Sequence, residues 1–360
     1  MTLNLHFSEE DLKRVKRDWT EWWAGELERP IVVLECLEHL DRYDPHSGNV
    51  FLGNYPLDKP ANEILDEFVP HLENTLYLGD SFPRYWPNFG PGIVAAFAGA
   101  KIHPTWDTTW FSPGRPGPIA DLQVACDWQN RWWKRVCEFT RAAVDRWGSQ
   151  LAIGITDLGG NLDVLASLRD TRQLLLDLVK TPQEVDRLVG ETTLLWLACY
   201  DRLYASIAST GSGITCWGPC WSIGRGYMLQ SDFSYMISPK MFERFVLPDL
   251  EACCSEMDYA FYHLDGKGQL VHVDSLLSLS CLRGIQWVPG FGKPRCEEWL
   301  PLLKKIRAAG KLCQLTVSPQ GALRIIRELG GKGFAFVIDE PQLTPAEGRA
   351  FLEELQGLEK

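Results

Sequence analysis

The sequence predicts an α/β fold, a single (β/α)8 barrel with an N-terminal extension and a long insertion after its first strand. Three observations carry this. Short β-branched runs alternate with amphipathic helices from about residue 150 to the end, the pattern of parallel strands joined by helices. Counted from the start, the runs reach eight, the number that closes such a barrel. At 360 residues, the chain also fits one elaborated barrel, which runs from about 250 residues to more than 400 with insertions.

The elements follow in order. Residues 1–28 form a helical extension, its helix at 9–26 opened by Ser8 as N-cap. The first strand is 30–35. Residues 41–127 are a loop-rich insertion holding a short helix at 61–71 and the second strand at 75–78. A helix at 127–147 leads to the third strand, 151–156. Helices at 163–179 and 182–209 follow, the second started by Thr181-Pro182. The fourth strand is 213–217, the next helix 239–257, the fifth strand 259–263 and the sixth 284–288. A helix at 296–309, a strand at 311–317, a helix at 320–329, a strand at 333–338 and a Thr344-capped helix at 345–358 complete the chain. The whole of 1–360 reads as one domain.

Composition excludes several classes. The net charge is −11 with no Lys/Arg block, whereas a nucleic-acid binder needs a basic stripe to neutralise phosphates. There is no apolar run long enough for a span and no apolar core of a signal segment in residues 1–10. Eleven cysteines, an odd number without a CxxC pair, read as free thiols in a reducing cytoplasm. The expected partner is a small-molecule substrate, with no nucleic acid or membrane, and the expected state is monomer or homodimer.

In a (β/α)8 barrel the chemistry sits on the loops that follow the strands. Carboxylates stand at five of the eight ends: Glu35, Asp80, Asp157, Asp265, and Asp339 with Glu340. Taken singly, each can be a helix cap; as a set they mark a site. His263 and Asp265 end the apolar run Ala260-Phe261-Tyr262, two residues apart and so on one face of the strand. Such a pair can hold a metal, or act as a base with the carboxylate orienting the ring. His272 and Asp274 share the spacing but lie on a predicted helix and read as surface residues. Tryptophans in Gly/Pro-rich loops (Trp86, Trp110, Trp217, Trp221), with Trp287 at a strand end, are candidates for stacking on a sugar, a methylated ammonium or a corrinoid face, or for plugging the end of the barrel. Glu35 and Asp80 are further candidate substrate contacts.

The stretch Ser231-Asp232-Phe233, then Met236-Ile237-Ser238-Pro239-Lys240-Met241-Phe242-Glu243-Arg244-Phe245-Val246-Leu247-Pro248, then Tyr262-His263-Leu264-Asp265-Gly266 resembles the C-terminal half of the uroporphyrinogen decarboxylase superfamily. That superfamily joins decarboxylases to cobalamin-linked methyltransferases. The resemblance runs from about residue 150 to the end and matches the N-terminal third only loosely. The decarboxylases' Arg-rich N-terminal segment is not found, and Glu35-Cys36-Leu37-Glu38 would repel a polycarboxylate. The methyltransferases hold zinc with a His-x-Cys pair and a C-terminal Cys. Here His263 matches, Asp265 stands in place of the first Cys, and Glu340 falls near the second. The resemblance thus implies a methyltransferase with His263, Asp265, Asp157 and Asp232 as catalytic residues. It implies zinc or another divalent metal on His263, Asp265 and Glu340, and a corrinoid carried by a partner protein. Two alternatives remain: a lyase or hydrolase using two of Asp80, Asp157, Asp265 and Glu340 on a polar or carbohydrate substrate, and a non-catalytic binding protein.

Overall fold

A computed structural model describes residues 2–42, 50–340 and 343–358. Of the 41–127 insertion, residues 43–49 lie outside this set. The strands are β1 (Ile31–Leu37), β2 (Thr75–Gly79), β3 (Arg84–Tyr85), β4 (Lys101–Pro104), β5 (Thr109–Ser112), β6 (Ala152–Gly154), β7 (Ile214–Thr215), β8 (Gly226–Gln230), β9 (Tyr259–Asp265), β10 (Leu282–Val288), β11 (Leu312–Val317) and β12 (Phe334–Ile338). Hydrogen bonding orders them as a seven-stranded sheet β2-β1-β12-β11-β10-β9-β8, a three-stranded sheet β3-β6-β7 and the hairpin β4-β5. Every pairing in the two larger sheets is parallel except β1 with β2. The molecule is therefore α/β with parallel sheet.

The helices between the parallel strands bury one face against them, as the sequence periodicity requires. The N-terminal helix Glu9–Ala24 is closed by a capping box between Ser8 and Asp11 and drives Trp19, Trp22 and Trp23 into the core. Trp22 donates to the carbonyl of Phe334 on β12 at 3.0 Å, so this extension is bonded to the sheet. The last helix, Pro345–Leu358, has its own Thr344–Glu347 box.

Five expectations need correction. The strand at 75–79 exists but runs antiparallel to β1, pairing Val33 with Gly79. A period-two pattern specifies a strand and its faces, not its direction. The strand β8, between the fourth expected strand and the helix at 239 where no strand is expected, pairs in parallel with β9. The helix expected at 163–179 is two, Asn161–Arg169 and Thr171–Lys180, separated by Asp170 at φ 78°, where Asp170 caps the second through Arg172 and Gln173. The helix expected at 239–257 likewise breaks into Pro239–Phe245 and Leu247–Ser255, because Pro248 has no N–H to continue the first. His272 also departs from its reading. It is fully buried, stacked on Phe242 at 4.4 Å and donating from Nε2 to the carbonyl of Ser234 at 2.9 Å. Asp274 is exposed and paired with Lys305.

Candidate functional site

β9 is the centre of the site. Its alternating burial puts Ala260, Tyr262 and Leu264 on the side buried among helices. Tyr262 there donates to Gln269 at 3.0 Å. His263 and Asp265 take the other face. The turn after β8 brings a second carboxylate, Asp232. That turn is held by Asp163 of the helix Asn161–Arg169, whose carboxylate accepts the backbone N–H of Asp232 at 3.0 Å and of Phe233 at 2.7 Å. Asp163 is brought close by Gly160, where a Cβ would stand 2.5 Å from the Asp163 carboxylate and 2.3 Å from the carbonyl of Gln230. Only glycine fits there.

Asp232, His263 and Asp265 each offer a ligand atom within 4.8 Å of the other two. No other side chain among the described residues hydrogen-bonds or pairs with the carboxylate of Asp232 or Asp265. Among surface carboxylates that is ordinary, but here two lie side by side next to an imidazole. Loss of hydration in the crowded site raises the pKa of Asp232, and the charges of Asp265 and Asp157 raise it further. Asp232 is itself exposed to solvent, so the part due to hydration is limited and the like charges are the firmer cause. Burial lowers the pKa of His263, partly opposed by a hydrogen bond to Gln286 and by Asp265.

Strand register surrounds His263 with glutamines. Gln230 on β8 and Gln286 on β10 are its direct cross-strand partners, and Gln314 on β11 pairs with Gln286. The result is a polar layer: His263 Nδ1 meets Gln286 Oε1 at 2.5 Å, and Gln286 Nε2 meets Gln314 Oε1 at 2.7 Å. On the other side Gln230 donates to Asp157 at 3.3 Å. Asp157 also accepts the N–H of Gly159 at 2.8 Å, and burial pushes its carboxyl up to about 7. Trp217 packs its ring against His263, centroids 4.8 Å apart at 87°.

Trp217 is also one wall of a cavity of about 270 Å³, lined further by Glu35, His71, Thr75, Tyr77, Arg84, Tyr85 and Trp86. Glu35 and Arg84 form an ion pair there. The Tyr85 hydroxyl and the Trp86 indole N–H are buried without a hydrogen-bond partner.

The structure thus gathers His263, Asp265 and Asp232, bonds Asp157 to Gln230, the neighbour of His263 on the next strand, and places Glu35, Trp86 and Trp217 around the adjoining cavity. It does not bring in the others. Asp80 sits at the N-terminal end of β1, since β2 is antiparallel; its N–H bonds the Val32 carbonyl at 2.6 Å and its carboxylate is gripped by Arg29 at 2.7 and 2.8 Å. Trp221 is buried and donates to the carbonyl of Ser212. Trp287 is buried against Trp299 on the helix side. Trp110 lies on the β4-β5 hairpin, 66% exposed. Glu340 is exposed and outside the three-residue group; Asp232 holds the third position instead. Sequence reasoning missed Gln230, Gln286, Gln314, Asp163 and Arg84. The available signal for the glutamines was a long polar residue inside an apolar strand, as in Gly284-Ile285-Gln286-Trp287-Val288, a position such residues seldom occupy without a partner.

No family model matches the chain, and no curated protein matches its sequence. Among solved structures it is similar to a methyltransferase from Methanosarcina mazei, with a TM-score of 0.59 and 13% identity over 95% of this chain and 98% of that one. At that identity the likeness is one of fold. Among the described residues no helix is long and apolar enough to cross a membrane, and all eleven cysteines are free.

Proposed function

We propose that this chain is a methyltransferase of the cobalamin-linked kind, built on a closed (β/α)8 barrel, with one divalent metal held by Asp232, His263 and Asp265. The observation that carries it is that three-residue group, within 4.8 Å and without other side-chain partners on its carboxylates. Two carboxylates and one imidazole can hold zinc, manganese or iron, and compared with a thiolate set the oxygen donors shift the preference toward the harder manganese and iron. Three protein ligands leave positions open for a substrate group. When bound, such an ion supplies Lewis-acid activation of the group that accepts the methyl.

The chain's own residues do the rest. Trp217 shields one face of His263 from water, and the adjoining cavity takes the body of a small substrate. Transfer passes a CH3+ equivalent from donor to acceptor and releases the acceptor's proton. Asp157, near neutral pKa and joined to the layer through Gln230, is the group suited to take that proton at working pH. A corrinoid donor would come on a partner protein. The resemblance of the Ser231–Gly266 segment and the shared fold support this reading. The carboxylate-pair alternative loses Asp80, which is committed to Arg29 at the opposite end of β1.

The test is demethylation of methylcobalamin with a panel of small thiols, followed by absorbance, in zinc-supplied wild type and Asp265→Ala. Turnover in the wild type that falls at least about 100-fold in the variant supports the reading. Equal rates in both overturn it.

A further inference from the structure

The polar layer has a direction, and that direction can be read from one end. Gln314 Nε2 lies 3.2 Å from the carbonyl oxygen of Pro219 and 3.1 Å from Cys220 Sγ. A backbone carbonyl only accepts, so the Gln314 amide nitrogen faces Pro219 and its oxygen faces Gln286. The Gln286 nitrogen must then face that oxygen, at 2.7 Å. Its own oxygen is left facing His263 Nδ1 at 2.5 Å. An oxygen acceptor at that distance requires a proton on Nδ1. Turning either amide over would oppose two acceptors and leave buried groups unpaired. Gln286 and Gln314 are both buried, as is Pro219's neighbour Cys220, so water does not relieve such a mismatch.

We propose that Gln286 and Gln314 are positioning residues that lock His263 in its Nδ1–H tautomer and so make Nε2 the one ring atom with a lone pair. The ring nitrogen that carries the proton is set by the hydrogen bond made at its other side, and ligating histidines are oriented in this way. Edge-to-face packing by Trp217 fixes the ring plane, leaving rotation and tautomer both determined. That Nε2 then serves as ligand rests on the proposed metal site; the tautomer itself does not.

The experiment is two-bond 1H–15N correlation on metal-free protein labelled with 15N-histidine, His263 being assigned by its loss in His263→Gln. An unconstrained histidine in water favours the Nε2–H form, so the two outcomes differ. The expected result is the Nδ1–H pattern in wild type and a mixture of tautomers in Gln286→Leu. An Nε2–H pattern in wild type overturns the proposal, as does an unchanged Nδ1–H pattern in Gln286→Leu. Should the variants not fold, the wild-type spectrum decides alone. Zinc titration of the same samples is expected to show about 10–100-fold weaker binding in Gln286→Leu. Wild type that shows Nδ1–H but takes up no zinc would leave the tautomer lock standing and remove the metal site.

Discussion

Asp80 and Asp265 look alike in the sequence, each an aspartate closing a short strand, yet they sit in opposite circumstances. Asp80 is buried, accepts two hydrogen bonds from Arg29 and one from the Val32 N–H, and is within 4.0 Å of Arg14. Asp265 stands beside Asp232 and His263, and among the described residues no cation or donor pairs with its carboxylate. The difference comes from strand direction: β2 is antiparallel, so its end points away from the ends of β8 and β9. The first carboxylate is spent on holding the N-terminal helix and β1 together. The second has no such cation partner among the described residues and stands partly open to solvent beside Asp232 and His263. Trp221 and Trp217, four residues apart, divide in the same manner, one buried in the core and one beside His263.

The largest expected effect is in the core. Trp221→Ala removes a fully buried indole and is expected to cost about 3–5 kcal/mol in urea unfolding, against about 1 kcal/mol for the half-buried Trp217→Ala. Equal losses would break the division between them. Asp80→Ala removes the carboxylate that accepts two of the Arg29 hydrogen bonds, Asp18 remaining at 2.7 Å, and is expected to cost about 3 kcal/mol, the low end for a broken buried pair because Arg29 is partly exposed. Asp265→Asn is expected to change stability by less than about 0.5 kcal/mol or to raise it, since it removes charge repulsion from Asp232. If Asp265→Asn unfolds the protein as readily as Asp80→Ala, the two carboxylates are equivalent and the site reading fails.

A smaller effect is expected with pH. Burial raises the carboxyls of Asp157 and Asp249 to about 7, while an unfolded aspartate titrates near about 3.9. Between those values the folded protein holds more protons than the unfolded chain. The stabilisation is therefore complete below about pH 4 and is lost as pH rises through about 7. Urea midpoints are expected to fall from pH 5 to pH 8, and Asp157→Asn is expected to flatten the fall by on the order of 1 kcal/mol. A midpoint that climbs over this range, or an unchanged slope in the variant, contradicts the assignment.

The second half of the chain was legible because its signals agree. Apolar runs of strand length, Pro and Thr at helix starts and the break at His263 gave β9 to β12 within about two residues of their ends. His263 and Asp265 followed from side-chain alternation alone. The first third was not legible for two physical reasons. Its parallel strand β3 is two residues long, too short to carry periodicity, and the direction of β2 depends on its partner rather than on its own residues. Register also hides from sequence: nothing local states that Gln230, Gln286 and Gln314 stand level with His263 on neighbouring strands. The resemblance implies Glu340 as the third ligand, whereas the residue that lies with His263 and Asp265 is Asp232, on the turn held by Asp163.

The central claim is that Asp232, His263 and Asp265 form one metal site. Its most direct test is calorimetric titration of metal-free protein with zinc, wild type beside His263→Ala, Asp265→Ala and Glu340→Ala. The account predicts one ion per chain for wild type and for Glu340→Ala, and loss of binding in the other two. Equal binding in all four proteins, or none in the wild type, would contradict it.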